Sequence, residues 1–172
     1  MKKLASALLF TLFSASCLAA EVTTTVHSTK ADNKVLGKVI FQDTPYGLLI
    51  TPKLNELPSG LHGFHLHEYP DCQDQGQAAG GHFDPKSTKT HQGPYGEGHL
   101  GDLPVLYVDQ QGNANTPTLA PRLTTSDLNQ LAIIIHEGGD TYSDTPKLGG
   151  GGARIACGVI KGSERENGKA SN

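Results

Sequence analysis

No run of apolar residues in this 172-residue chain approaches the roughly 20 that a membrane-spanning helix requires, so a helical membrane protein is excluded. Positive charge is not in surplus either: 14 Lys and Arg stand against 17 Asp and Glu, a formal charge of −3. That balance argues against nucleic acid as a partner. Sustained helical periodicity is scarce, internal repeats are absent, and nothing marks a second domain. Cysteine is limited to three residues, Cys17, Cys72 and Cys157.

What is present begins with a leader. The basic start MKK, the apolar run Leu4 to Phe13 and the small residues of SASCLAA read as a secretory signal peptide over residues 1–20. Its removal takes away Lys2 and Lys3 and no acid, moving the formal charge from −3 to −5. Cys17 leaves with it. A lipid-carrying Cys17 is the competing processing route, but Ser14 stands three residues before it, where such signals usually have an aliphatic side chain. Export to an oxidising compartment leaves Cys72 and Cys157 as an even pair, read as a disulfide against the alternative of two buried thiols.

The mature part, residues 21–172, is expected to form one domain, long enough to enclose a core. Short β-like runs recur between Gly, Pro, Asp and Asn: VTTTVHS, VLGKVIFQ, YGLLIT, HGFHLH, PVLYVD, LAIIIH and IACGVIK. Seven or eight such strands predict an all-β antiparallel sandwich or barrel. TTSDLNQ has room for one helical turn after an N-cap Thr or Ser. Residues 162–172 are polar and read as a frayed tail.

Two segments exceed what a minimal sandwich needs. Between His67 and Leu103 lie 35 residues with seven glycines, and Glu137 to Arg154 carries six more, four of them consecutive. Loops of this length inside a small domain are usually functional or disordered, and ordering them requires anchors. The first loop carries candidates: His82, His91, His99 and, three residues later, Asp102. Three imidazoles and a carboxylate suit a closed tetrahedral zinc site, whose binding energy would hold a glycine-rich loop in one shape.

Ahead of that loop, GFHLHEYPDC places His65 and His67 one residue apart. On a strand, positions two apart share a face at roughly 6 to 7 Å, so the two rings can share one ion while Phe64 and Leu66 point oppositely. His136 ends the apolar strand LAIIIH. The remaining histidines, His27 and His62, are read as structural or exposed.

In order and nearly in spacing, GFHLHE, AGGHFDP, THQGP, GHLGDLP, IIIHEGGD and GGGGARIACGVI resemble the motifs of bacterial copper,zinc superoxide dismutases, over roughly Val35 to Lys161. The resemblance implies a flattened eight-stranded Greek-key barrel with a metal-binding loop and a glycine-rich electrostatic loop. It implies copper held by His65, His67, His82 and His136, zinc held by His82, His91, His99 and Asp102, and His82 bridging the two ions. It implies a Cys72–Cys157 disulfide, and Arg154 beside the copper as the catalytic arginine that attracts superoxide. Asp140 resembles the carboxylate that links one copper histidine to one zinc histidine, with Asp144 a competitor for that role.

Lys147 is read as a solvated loop lysine, and Glu68 and Glu137 as rim or surface charges. The expected reaction is dismutation of superoxide to O2 and H2O2. The expected location follows from export and from the likeness to enzymes of Gram-negative bacteria, and is the periplasm. Monomer and homodimer both occur among bacterial relatives, and both remain open here. The alternative function is an exported protein that buffers or delivers copper and zinc without turnover, which would need labile, accessible ligands. A purely structural zinc domain leaves His65, His67 and His136 without a role.

Overall fold

The computed structural model describes residues 20–161. The leader and Cys17 fall outside them, apart from Ala20, as does the tail 162–172. The strands are β1 (Glu21–Ser28), β2 (Val35–Thr44), β3 (Gly47–Leu54), β4 (Gly60–His62), β5 (Phe64–His67), β6 (Leu106–Val108), β7 (Thr118–Ala120), β8 (Leu131–His136) and β9 (Arg154–Ile160). Short 3-10 turns cover Gln77–Ala79, Thr125–Leu128 and Lys147–Gly150. The helical turn expected within TTSDLNQ is the second of these. Its N-cap, Thr124, donates its backbone N–H to Asp127 Oδ2 at 2.8 Å.

The strand at HGFHLH is not continuous. It breaks at Gly63 into β4 and β5, which pair with different partners, β6 and β8. Counted as one interrupted strand, β4 and β5 bring the nine segments to the expected eight. The short β7 left too little periodicity to be read from sequence.

Seven strands form one curled antiparallel sheet in the order β5-β8-β9-β1-β2-β3-β7, and the pair β4-β6 forms the second. The chain passes between the ends of the large sheet three times, from β3 to β5, from β5 through β6 to β7, and from β7 to β8, which gives the Greek-key path. Along β1 exposed and buried residues alternate, and the inward set of β1 to β3 includes Val26, Phe41, Leu48 and Ile50. Leu106 and Val108 of β6 join the same core.

β5 and β8 behave differently, for every residue in both is buried. Phe64, Leu66, Ile133 and Ile135 face the main core. Ala132 and Ile134 on the other face of β8 pack with Ala79 and Cys157, with half-buried Cys72 against them, beneath the first long loop. The loops are therefore a second layer over the sheet. The outer face of β5 carries His65 and His67, and this is the face they cover.

Cys72, in that covering layer, is disulfide-bonded to Cys157 on β9, with a Cα separation of 5.8 Å. The bond closes a sequence separation of 85 residues. In the chain-entropy model a loop of this length corresponds to about 4 to 5 kcal/mol, an upper figure for a real bridge. Cys72→Ser is expected to lower the melting temperature and to loosen metal binding. A melting curve unchanged by the substitution and by reductant would remove the tether from this account.

Candidate metal centre

β5 is bordered by β8 on one edge and by the returning first loop on the other. His65 pairs with Ile134 and His67 with Ala132 across β8. On the opposite edge His65 lies against Asp102 and His67 against His82 in isolated bridges. Backbone bonds fix this edge: Phe83 N–H donates to Leu66 O at 2.9 Å, and Leu66 N–H donates to Gly101 O at 2.9 Å. A side chain on Gly101 would meet Leu66 O at 2.4 Å, so only glycine lets the loop close on the strand here. The loop thereby delivers His82 and Asp102 to the two strand histidines.

Two groups of four potential ligands result, and a third of three, His65, His91 and Asp140, lies between them. His65, His67, His82 and His136 offer one atom each within 4.8 Å of one another, and so do His82, His91, His99 and Asp102. His82 belongs to both. All seven residues are buried, with no more than 7% of any one exposed. The His65 and His82 rings stack with centroids 4.0 Å apart.

The nitrogens themselves test whether ions fit. His65 Nδ1, His67 Nε2, His91 Nδ1, His99 Nδ1 and His136 Nε2 are buried without a hydrogen-bonding partner. An unsatisfied buried polar group costs about 1 to 3 kcal/mol, so five pointing into two groups would be a heavy burden unless a cation takes their lone pairs. The other ring nitrogen is occupied in four of these rings. His65 Nε2 lies 2.7 Å from Asp140 Oδ2, His67 Nδ1 3.0 Å from Gly80 O, His91 Nε2 2.7 Å from Asp140 Oδ1, and His136 Nδ1 3.3 Å from Gly152 O. Each acceptor takes an N–H, which leaves the lone pair on the inward nitrogen. His91 Nδ1 also lies 2.9 Å from Asp102 Oδ2 without hydrogen-bond geometry, an approach that suits two ligands of one ion. The donor chemistry fits copper at the all-imidazole group and zinc at the group with a carboxylate.

Asp140 joins the groups, since its two oxygens hold one ring from each. Asp144 instead accepts the His91 backbone N–H at 3.1 Å. A side chain on Gly149, at φ +73°, would meet Asp140 Oδ1 at 2.1 Å, so the second long loop also closes on the site through glycine. Tyr142, which the sequence reading missed, donates its N–H to Asp140 Oδ1 at 2.7 Å. Its hydroxyl accepts the Val105 N–H at 2.9 Å. His62 is buried with Nδ1 2.7 Å from His136 O and Nε2 2.8 Å from Pro58 O, a structural position outside both groups. His27 also lies outside both, with Nδ1 3.2 Å from Asn33 O.

A cleft of about 280 Å³ opens onto His67, His82 and His136, with Arg154 and Lys147 among its walls. It is not the largest: one of about 450 Å³ lies beside the disulfide along β1 and β9. Ligand groups, not size, mark the functional opening. Arg154 donates from Nη1 to Gly76 O at 2.6 Å and from Nη2 to Gly80 O at 2.7 Å. It therefore ties the first loop as well as facing the cleft, a structural task the sequence reading did not include. Lys147, Glu68 and Glu137 are exposed.

The two groups differ electrostatically. Burial, aided by the neighbouring rings, lowers His65 to about 4 and His136 to about 3, and pushes His67 well below the ordinary histidine value. Burial also acts on His91, but the adjoining Asp102 and Asp140 outweigh it and raise that ring to about 9. Against their own burial, the hydrogen bond from His82 and the adjoining His91 ring hold Asp102 well below the usual carboxylate range, and bonds from His65 and His91 do the same for Asp140.

A family model described as copper/zinc superoxide dismutase matches residues 35–160. A Cu-Zn superoxide dismutase of Legionella pneumophila is 59% identical over 150 residues, covering 87% of this chain and 93% of that one. Among solved structures, the Cu/Zn superoxide dismutase from Brucella abortus superposes with a TM-score of 0.78 at 40% identity, covering 83% of this chain and 100% of that one. The monomeric copper, zinc superoxide dismutase from Salmonella enterica gives 0.71 at 45%, with the same coverage of 83% and 100%.

The opposed shifts set the pH response of metal-free protein. His65 and His136 have folded values below the ordinary 6.5, so the stability linked to them is present above pH 6.5 and lost as pH falls toward 4 and 3. His91 has a folded value above 6.5, so its contribution is full below pH 6.5 and lost as pH rises through about 9. Chelator-stripped protein is expected to melt highest near pH 6.5 and lower on both sides. Metal-loaded protein should show a flatter profile between pH 6 and 9. A monotonic profile for the stripped protein across pH 4 to 9 would contradict this electrostatic picture.

Proposed function

This chain belongs to the copper/zinc superoxide dismutase family, and from that premise we propose that its two ligand groups divide the labour of superoxide dismutation. The reaction takes two superoxide anions and two protons to one O2 and one H2O2. In this reading His65, His67, His82 and His136 hold copper, while His82, His91, His99 and Asp102 hold zinc. The observation that carries it is the shared His82 amid five inward-facing nitrogens with no other partner. Copper, when bound, supplies a one-electron couple, and zinc supplies a fixed dipositive charge with no redox chemistry.

The chain's own residues supply the rest. His82 Nδ1 lies 2.9 Å from Asp102 Oδ1, among the zinc group, leaving Nε2 for the copper group. Held at Nδ1, the ring can take a proton at Nε2 and return it to product without swinging away. Asp140 orients His65 and His91 together, so a displacement of one ring is felt by the other. Arg154 presents a guanidinium to an anion entering the cleft, a local positive field on a protein of net negative charge.

A metal-delivery protein fits this geometry poorly, because its ligands must be accessible and these are buried. We also propose that the mature chain is exported, to the periplasm, on the strength of the leader and of its Gram-negative relatives. Among the described residues no helix is long and apolar enough to cross a membrane.

Superoxide decay with metal-loaded and stripped protein tests the activity, and loaded protein no faster than buffer would end the claim. His82→Ala is expected to lower activity more than copper occupancy and to alter the copper absorption and spin-resonance spectra. A metal-replete variant with wild-type spectrum and rate would remove the bridge.

Arg154→Ile should slow the second-order reaction by about tenfold or more, since local steering raises on-rates by roughly 10 to 10³. Arg154→Lys should recover part of the rate, having the charge without the planar fork. Arg154→Glu should be slowest, and raising salt should narrow its gap from wild type as the screening length falls from about 10 Å at 0.1 M to about 3 Å at 1 M. Because Arg154 also holds Gly76 and Gly80, the Ile variant is expected to melt somewhat lower. Pulse radiolysis at matched copper occupancy across ionic strength isolates the electrostatic part, and equal rates for all four proteins would assign Arg154 to structure alone.

A further inference from the structure

The segment Gly93 to His99 links two of the three zinc-group histidines of the first loop, His91 and His99. It reads GPYGEGH, with three glycines, and Tyr95 is 68% exposed. Glycine-rich backbone of this kind loses more conformational entropy on ordering than any other. Yet His91 and His99 must reach one ion together.

Four carbonyls of this segment converge on one side chain. Arg122 donates from Nε to Pro94 O at 3.1 Å, from Nη1 to Gly98 O at 3.1 Å, and from Nη2 to His99 O at 2.6 Å and Gly93 O at 3.5 Å. Carbonyl dipoles aimed at one point repel each other unless a cation sits there. A guanidinium has five donors in a fixed plane and can serve all four, whereas an ammonium has three donors on one atom. The shortest of the four contacts is to the carbonyl of a ligand residue, His99.

The arginine's own backbone is anchored to the barrel. Arg122 follows β7, whose Ala120 pairs with Leu48 of β3, and Leu123 after it is buried in the main core. The loop's other ties here run to other loop residues. His99 N–H donates to Thr90 O at 2.9 Å, and His91 N–H donates to Asp144. Arg122 connects the segment to the sheet.

We propose that Arg122 is a positioning residue for the zinc group, setting the backbone from Gly93 to His99 so that His91 and His99 present their Nδ1 atoms to one ion. The inference rests on the zinc-ligand reading above. It separates the two metals: the copper-group residues His65, His67 and His136 stand on β5 and β8, which Arg122 does not touch.

Arg122 also lines an open cleft of about 330 Å³ with Asp84, Lys86, Glu97 and Leu100. Its truncation would leave a space that a free guanidinium ion can enter from solvent. The test compares wild type, Arg122→Ala and Arg122→Lys, reading zinc affinity by chelator competition, copper affinity likewise, and the visible spectrum of Co(II) placed in the zinc group. Loss of a ligand's supporting partner typically lowers metal affinity 10- to 100-fold. Both variants are expected to bind zinc at least tenfold more weakly and to show an altered Co(II) spectrum, with copper affinity changed less than about threefold. Added guanidinium ion, below denaturing concentration, should restore the Co(II) spectrum of Arg122→Ala.

Wild-type zinc affinity and Co(II) spectrum in both variants would overturn the proposal even if their melting temperatures fell, because a merely structural arginine gives that result. An equal loss of copper affinity would overturn it too. His99→Ala is the control on the underlying reading: if that variant binds Co(II) as wild type does, the ligand assignment fails, independently of Arg122.

Discussion

Buried imidazole nitrogens with a lone pair and no partner are costly unless a cation takes them, and five belong to the two ligand groups of this protein. Everything outside the barrel core is arranged by that condition. A strand with one face on a hydrophobic core normally gives its other face to water. β5 does not do so, because its outer face is covered and the free nitrogens of His65 and His67 lie within a group that could hold an ion. The two long loops form the cover, and the first of them brings His82, His91, His99 and Asp102 with it. In the proposed reading metal and loop are mutually dependent: the ions would need the first loop for His82, His91, His99 and Asp102, and a glycine-rich loop would need the ions to offset its ordering entropy.

Such a cover must also be held from outside the metals, or metal loss would unravel it. The structure supplies distinct tethers on different sides. Cys72 is bonded to β9. Arg154, also on β9, holds the carbonyls of Gly76 and Gly80, and Gly80 O in turn faces His67 Nδ1. Arg122, beyond β7 at the far end of the sheet, holds the segment before and at His99. Asp140 then couples the second loop to a ring from each group. These ties share a design: a side chain on one element bonds to a group on another, covalently for Cys72 and by hydrogen bonds for the rest, so each loop is ordered by partners distant in sequence.

That distance separates what the sequence made legible from what it did not. The paired histidines of GFHLHE, the histidines spaced through the glycine-rich loop and the strand LAIIIH are local patterns, and local patterns survive in one dimension. The break at Gly63 does not, because it depends on which neighbours β4 and β5 find, β6 and β8. The sequence pattern favours Asp140 and leaves Asp144 as a competitor. What separates them is contact with rings 75 and 49 residues away. Arg122 sits in APRL, which carries no motif, and its four acceptors lie 23 to 29 residues earlier. Convergent carbonyls are invisible until the loop is folded.

In its proposed role Arg154 answers two opposed demands. A catalytic cation should be free to meet its substrate, but a free arginine loses side-chain entropy each time it does so. By donating one edge of the guanidinium to Gly76 and Gly80, the protein fixes the plane in advance, at the wall of the cleft that opens onto His67, His82 and His136. The backbone carbonyls are neutral, so they orient the charge without cancelling it. A carboxylate partner would hold the side chain as firmly and remove the field that a small anion follows. In the proposed role, the choice of acceptor, carbonyl in place of carboxylate, is what would allow the same arginine to brace the loop and to attract superoxide.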